Sequence, residues 1–245
     1  MQIIPGGSPL NSYDLVVVGG TPAGIMAAVA AARLGSTVAL TEYHGHIGGM
    51  SASGLGKSDI ENRAAIAGLF KEFVHRVHQF YIGKYGRGSV NEKLCREGYY
   101  YEPSVAERVF NQLIEEEGIE LYTNCRIKKV VANQDVLLKV RLKHRATGRS
   151  IELSGKIFVD ATYEGDLYAL AGAGYRLGRE GRATYGEAHA GRIFMDYQDN
   201  RILQGSTGDA DENLPAYTYR LCLTDDPGNS HVLKAPPPGY NRNNY

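Results

Sequence analysis

The chain has no tryptophan, three cysteines and no excess of charge of either sign. Lys and Arg number 27, as do Asp and Glu, so no net field draws the chain toward nucleic acid or an anionic membrane, and a small molecule is the expected partner. Cys95, Cys125 and Cys222 lie far apart with no C-x-x-C spacing, which argues against a paired-thiolate metal site or a redox disulfide; each reads as a reduced, small apolar residue. No apolar run reaches the roughly 18–20 residues of a spanning helix. The opening MQIIPGGSPLNS has neither the basic region nor the apolar stretch of a secretory leader. A cytoplasmic protein is therefore expected, with no metal and with self-association left open. What the sequence does have is 43% hydrophobic content and 30 glycines in 245 residues, enough for one large domain or two small ones.

Residues 14–18 (DLVVV) read as a short apolar strand, followed by a glycine-rich turn and an alanine-rich helix over 23–34 that stops at Gly35. Residues 37–41 (TVALT) form another continuous apolar run, the pattern of a parallel strand buried on both faces. After a glycine-rich loop at 45–56, Ser58-Asp59-Ile60-Glu61 matches an S-x-x-E capping box. It predicts a long amphipathic helix that buries Ile66, Leu69, Phe70, Phe73, Val74, Val77 and Phe80. Residues 83–101 read as loop, and a further helix begins at Pro103, buries Val105, Val109 and Leu113, and ends at Gly118. From Ile119 the period shortens toward two, with turns at Asn133-Gln134-Asp135 and Thr147-Gly148. This predicts one returning sheet strand and a small antiparallel β-meander at about 127–154. KIFVDAT at 156–162 reads as a separate buried strand, and 217–223 as one more. The fold class is α/β: a Rossmann-type nucleotide-binding domain with a parallel sheet and a small meander over 12–185, then the start of a second, substrate-side region over 186–245 with an irregular tail.

The first turn, Gly19-Gly20-Thr21-Pro22-Ala23-Gly24, is a G-x-G-x-x-G fingerprint with Thr21 in place of the middle glycine. Gly19 permits the tight turn, Gly24 lets helix and strand pack closely, and the helix N-terminus offers N–H groups to a pyrophosphate. Glu42 ends the next strand 18 residues after Gly24 and is placed to accept hydrogen bonds from ribose hydroxyls. Thr21 carries a Cβ that restricts how closely the backbone approaches phosphate. The competing reading is a glycine turn in an α/β protein that binds no nucleotide. NAD and FAD share this unit, so the choice between them rests on other segments.

Glu42-Tyr43-His44-Gly45-His46-Ile47-Gly48-Gly49-Met50-Ser51, followed by Ser53-Gly54-Leu55-Gly56, resembles the post-ribose loop of FAD-dependent oxidoreductases. Phe158-Val159-Asp160-Ala161-Thr162-Tyr163-Glu164-Gly165-Asp166-Leu167, Gly178-Arg179-Glu180, Tyr185-Gly186-Glu187, Glu102-Pro103 and the segment from Arg220 to Pro227 resemble a bacterial FAD-dependent oxidoreductase family. Some members of that family carry a "xanthan lyase" label. No paired-carboxylate signature of glycan cleavage accompanies it. The resemblance runs from about Tyr13 onward. It implies pyrophosphate at Gly19, Gly20, Thr21, Pro22, Ala23 and Gly24, ribose at Glu42, and flavin-side contacts at Gly48, Gly49 and Met50. It also implies adenine beside Ile127 and the ADP portion along Ala161 and Thr162; for Ile127 and Ala161, plain sheet core is the competing reading. Family members continue past the length of this chain into a segment that covers the flavin. The expectation is therefore a shortened member: either an active FAD-dependent oxidoreductase on a small organic substrate, or an inactive FAD- or ADP-binding fragment. Non-redox use of FAD is a third reading.

Flavin carries the redox chemistry, so the protein need supply only a proton-transfer group near the substrate. The candidates are His46, with His44 on the same loop, and Glu164 and Asp166 after the 156–162 strand. Each has a plainer reading: exposed loop histidines, and Asp166 as the cap of a helix starting near Leu167. Asp59 reads as helix-terminal electrostatics and Arg179-Glu180 as a surface pair. His75 and His78, one residue short of a metal-binding i, i+4 spacing, read as surface histidines.

Overall fold

The computed structural model describes residues 12–214, 223–232 and 234–244. Strand β1 (Ser12–Val18) leads into helix α1 (Pro22–Arg33) and strand β2 (Val38–Thr41). The helices α2 (Gly49–Ala52), α3 (Gly68–Tyr85), α4 (Val90–Leu94) and α5 (Pro103–Glu116) follow. Strands β3 (Glu120–Tyr122), β4 (Cys125–Asn133), β5 (Val136–His144) and β6 (Ser150–Asp160) complete the main sheet. Short helices α6 (Asp166–Leu170) and α7 (Arg182–Tyr185) and the two-residue strands β7 (Met195–Asp196) and β8 (Arg201–Ile202) come last.

One six-stranded sheet runs in the order β3-β2-β1-β6-β5-β4, parallel from β3 to β6 and antiparallel from β6 to β4. The segments read separately as SIELS and KIFVDAT are one strand, β6. Ser154 is where it changes partner, pairing with Lys139 of the meander and with Ser12 of β1. Gly155, which looks like a break in the sequence, is the contact point with β1: a Cβ there would lie 2.9 Å from the Val16 side chain.

Alternate residues of β1 feed two cores. Leu15 and Val17 join Leu40, Val29, Phe73, Phe110 and Leu113 beneath α1, α3 and α5, where the Phe73 and Phe110 rings stack at 4.6 Å. Val16 and Val18 pack on the other face with Ile127, Val140, Leu142 and Leu153 of the meander. The βαβ unit thus reaches its partners on both sides, as continuous apolar strands require.

Two local expectations are corrected. Ser58 caps no helix: its N–H donates to the Tyr99 carbonyl at 2.8 Å and its hydroxyl lies 3.2 Å from that of Tyr101. Helix α3 starts ten residues later, at Gly68, behind Ala67 with no side-chain cap, although Phe73, Val74 and Val77 are buried as its periodicity requires. Residues 83–101 are not simply loop. They hold the end of α3, helix α4 capped by the Ser89 hydroxyl, and a turn that sends Tyr99 and Tyr101 into the helix-side core. The strand expected at 217–223 falls almost wholly outside the described residues.

Candidate cofactor site

The C-terminal ends of β1, β2 and β6 open onto one crevice, the position at which open α/β sheets bind ligands. The turn after β1 forms its centre. Gly19, at φ +111°, donates its N–H to the Thr41 carbonyl at 2.9 Å, and a Cβ there would stand 2.5 Å from the backbone of Ala161. Thr21 has an ordinary φ of −73° and is buried. Its hydroxyl donates to the Ala161 carbonyl at 2.8 Å and accepts the Gly24 N–H at 3.2 Å. The Cβ that the fingerprint lacks is therefore absorbed: Thr21 caps α1 and fastens the turn to the end of β6. Pro22 takes the first helical position, where no N–H is needed, and the amide of Ala23 has no partner among the described residues.

Glu42 directly follows β2 and is 9% exposed. One carboxylate oxygen accepts the Gly20 N–H and the other the His44 N–H, each at 2.8 Å. Gly48 donates to the Gly20 carbonyl at 2.7 Å, drawing the following loop against the turn. Beyond it, the Met50 N–H donates to the Tyr163 phenol oxygen at 2.9 Å.

These segments enclose a cavity of about 860 Å3. Of the residues singled out in the sequence, Gly19, Thr21, Glu42, Gly49, Met50, Ile127 and Thr162 line it, as do His44, His46, Glu164 and Asp166. Gly20, Pro22, Ala23, Gly24, Gly48 and Ala161 do not reach its wall; Gly20, Gly24, Gly48 and Ala161 hold the wall in shape through their hydrogen bonds. The volume lies within the usual range for small-molecule sites. A glycine turn at a helix start and a buried carboxylate with lone pairs to spare suit a phosphate and a ribose respectively.

Asp166 is not the cap of α6. Gly165, at φ +75°, holds the N-cap position, and the capping groups come from upstream. Asp160 accepts the N–H groups of Leu167 and Tyr168 at 2.9 and 3.0 Å with one oxygen, and the Thr162 N–H and hydroxyl with the other. The Thr162 hydroxyl in turn accepts the Gly165 and Asp166 N–H groups. This leaves the carboxylates of Asp166 and Glu164 at the cavity with no hydrogen-bond partner among the described residues. Arg179 pairs with Asp211 rather than Glu180, which instead meets Arg176 at 3.1 Å. His78 binds Glu92 at 2.7 Å, and Asp59 meets Lys57 at 3.2 Å.

Several lining residues escaped the sequence reading. Arg126 precedes Ile127 on β4, and Tyr43 lies under the Arg145 guanidinium at 4.0 Å, with His44 against its edge and His46 stacked on His44. Cys125 also lines the cavity, and burial pushes its thiol up from the ordinary value, so it stays protonated and is a poor nucleophile. Tyr163 had one available signal, an aromatic directly after the Asp160-Ala161-Thr162 strand end.

Fold and crevice together define a dinucleotide-binding α/β protein. The chain belongs to the FAD-dependent oxidoreductase family, whose sequence model, described as "FAD dependent oxidoreductase", matches residues 14–245. The cofactor is accordingly FAD. Among curated proteins no sequence matches the chain. Among solved structures, the FAD-complexed glycerol-3-phosphate dehydrogenase of Bacillus halodurans is similar over 78% of this chain and 44% of its own, at 15% identity and a TM-score of 0.48. Thermovibrio ammonificans THI4 is similar over 69% and 67%, at 17% identity and 0.46. The L-proline dehydrogenase of P. horikoshii is similar over 62% and 22%, at 20% identity and 0.38. The chain thus spans between about a fifth and two thirds of the length of these proteins.

Proposed function

We propose that this chain works as an FAD-dependent oxidoreductase on a small organic molecule. The observation that carries this reading is the single cavity joining Glu42, the Gly19 turn and the segment at Gly49 and Met50, in a chain of the FAD-dependent family. Bound FAD supplies the hydride or electron chemistry. Its pyrophosphate would lie at the turn of residues 19–24, where the amides of Thr21 and Ala23 have no acceptor among the described residues and Gly19, Gly20, Pro22 and Gly24 shape the turn. Glu42, fixed by two amides, keeps further lone pairs for the ribose hydroxyls. Ile127 would meet adenine, Thr162 would run along the ADP portion with Ala161 behind it, and Gly49 and Met50 would meet the flavin side with Gly48 behind them. His46, Glu164 and Asp166 are the titratable groups at the cavity from which a proton-transfer residue would come.

The cofactor domain in this reading is 12–185, with 186–245 the beginning of a substrate-side region. The likeness of 158–167 to the bacterial group described above supports membership of that group. The buried free thiols of Cys95 and Cys125 fit a reducing cytoplasm. Among the described residues no helix is long and apolar enough to cross a membrane.

The test is to purify the protein, reconstitute it with FAD and record its visible spectrum under anaerobic conditions while adding candidate donors. A stoichiometric flavin spectrum that bleaches with one donor is expected. Failure to take up FAD overturns the cofactor assignment; stable flavin that accepts electrons from no donor overturns the oxidoreductase assignment.

A further inference from the structure

The cavity has a residue that neither core packing nor the nucleotide fingerprint explains. Tyr163 is 56% exposed, so burial does not account for an aromatic side chain there. It lines the cavity, and its phenol oxygen accepts the Met50 N–H at 2.9 Å across 113 residues of sequence. The same oxygen occupies the space a Cβ on Gly49 would need, and Pro22 of α1 borders that space at 3.1 Å. Three segments therefore meet around Gly49: the start of α1, the start of α2, and the loop after β6.

The two sides of this contact are unequally secured. Asp160 and Thr162 bind the loop that carries Tyr163 through six hydrogen bonds, so its backbone is fixed. The facing helix α2 is four residues long and has no side-chain cap, and Met50 is exposed. Through this one hydroxyl, a loop with a fixed backbone holds the start of α2 at the cavity.

Resting on the FAD reading above, we propose that Tyr163 is a positioning residue for the flavin half of the cofactor. It sets where the segment at Gly49 and Met50 lies and leaves the ADP half, held at Glu42 and Gly19, unaffected.

The proposal is tested with Tyr163→Phe in the full chain, measured for FAD affinity by flavin fluorescence, ADP affinity by calorimetry, the visible flavin spectrum, and apoprotein melting. A neutral hydrogen bond of this kind predicts about five- to tenfold weaker FAD binding and an altered flavin absorption band, with ADP binding and melting unchanged. Tyr163→Ala, which also removes the ring, should weaken FAD further and still spare ADP. Equal losses for FAD and ADP, or a lowered melting point, would make Tyr163 a general structural residue and overturn the proposal. Unchanged FAD affinity and spectrum would make it a surface residue and overturn it equally. Wild-type protein that takes up no FAD is a different failure, since it removes the reading beneath.

Discussion

The two ends of the cavity are built differently. At the Glu42 end the side chain is buried, both its oxygens hold backbone amides, and the turn beside it is tied to β2 through Gly19 and to β6 through Thr21. At the other end Met50, Tyr163, Glu164 and Asp166 are exposed, and among the described residues the facing segments are joined by one hydrogen bond, from Met50 to Tyr163. A buried, backbone-held end gives a preorganised grip. An exposed, side-chain-held end is easily altered, which suits the half of a site where substrates differ.

Glycine substitutions at the two ends should separate them most strongly. In Gly24→Ala the new Cβ would overlap the Gly19 carbonyl oxygen and sit 2.9 Å from the Ala161 Cβ, with backbone on one side and packed core on the other. We expect a loss of about 3 kcal/mol in denaturant unfolding and at least about 100-fold weaker FAD binding. Gly49→Ala meets the far end of the Tyr163 side chain, which can swing aside, though the backbone must keep φ at +48°. Its cost should be nearer 1 kcal/mol, with FAD weakened about tenfold and ADP spared. Similar losses from the two variants would erase the distinction.

Glu42→Gln tests the buried end by charge and donor pattern at nearly constant shape. An amide there places an NH2 group against one of two backbone N–H groups, so one donor loses its acceptor in a buried place. Stability should fall by about 2 kcal/mol, and isothermal titration should show FAD and ADP weakened together. Asp160→Asn disturbs the base of the exposed end by weakening the cap on α6. The expected loss is about 1 kcal/mol, with faster proteolysis confined to residues 162–170.

The buried end was the legible one. Apolar runs, glycine spacing and a carboxylate at the end of the second strand are local signals, and they lead to β1, α1, β2 and Glu42. The features that escaped depend on distant partners. Nothing near Tyr163 announces Met50, and nothing near Asp160 announces that its oxygens gather amides from a helix seven residues on. β6 looked like two strands because its change of partner at Ser154 is a property of topology. Ser58 through Glu61 shows the opposite error: a sound local capping pattern gives way to pairing between Lys57 and Tyr100, while α3 begins at an uncapped position. Thr21 departs from the fingerprint in residue type yet keeps its geometry, because its hydroxyl finds β6.

The smallest expected effect comes from behind the buried end, where α1 is fastened to α3 and α5 by charge. Arg33 reaches Glu72 and Glu117, each at 2.7 Å, and Arg76 joins Glu72 to Glu116. The Arg33 guanidinium, aided by Arg76, lowers the Glu72 carboxyl to about 2 from an ordinary value of 4.5, against a smaller opposing cost of burial. A depressed folded-state value means that the network's contribution is complete above about pH 4.5 and fades as pH falls toward about 2. The group is partly solvated and screened, so Glu72→Gln should cost only about 1 kcal/mol at neutral pH. In urea unfolding curves across pH, the gap between variant and wild type should narrow below pH 4.5 and close near 2, because protonation then makes the wild-type carboxyl neutral as well. If the grip on ADP depends on α1 being held in place, ADP affinity at neutral pH should fall by less than about twofold. A larger fall would mean that the buried end owes its firmness to surface charge rather than to the hydrogen bonds of Glu42 and Thr21.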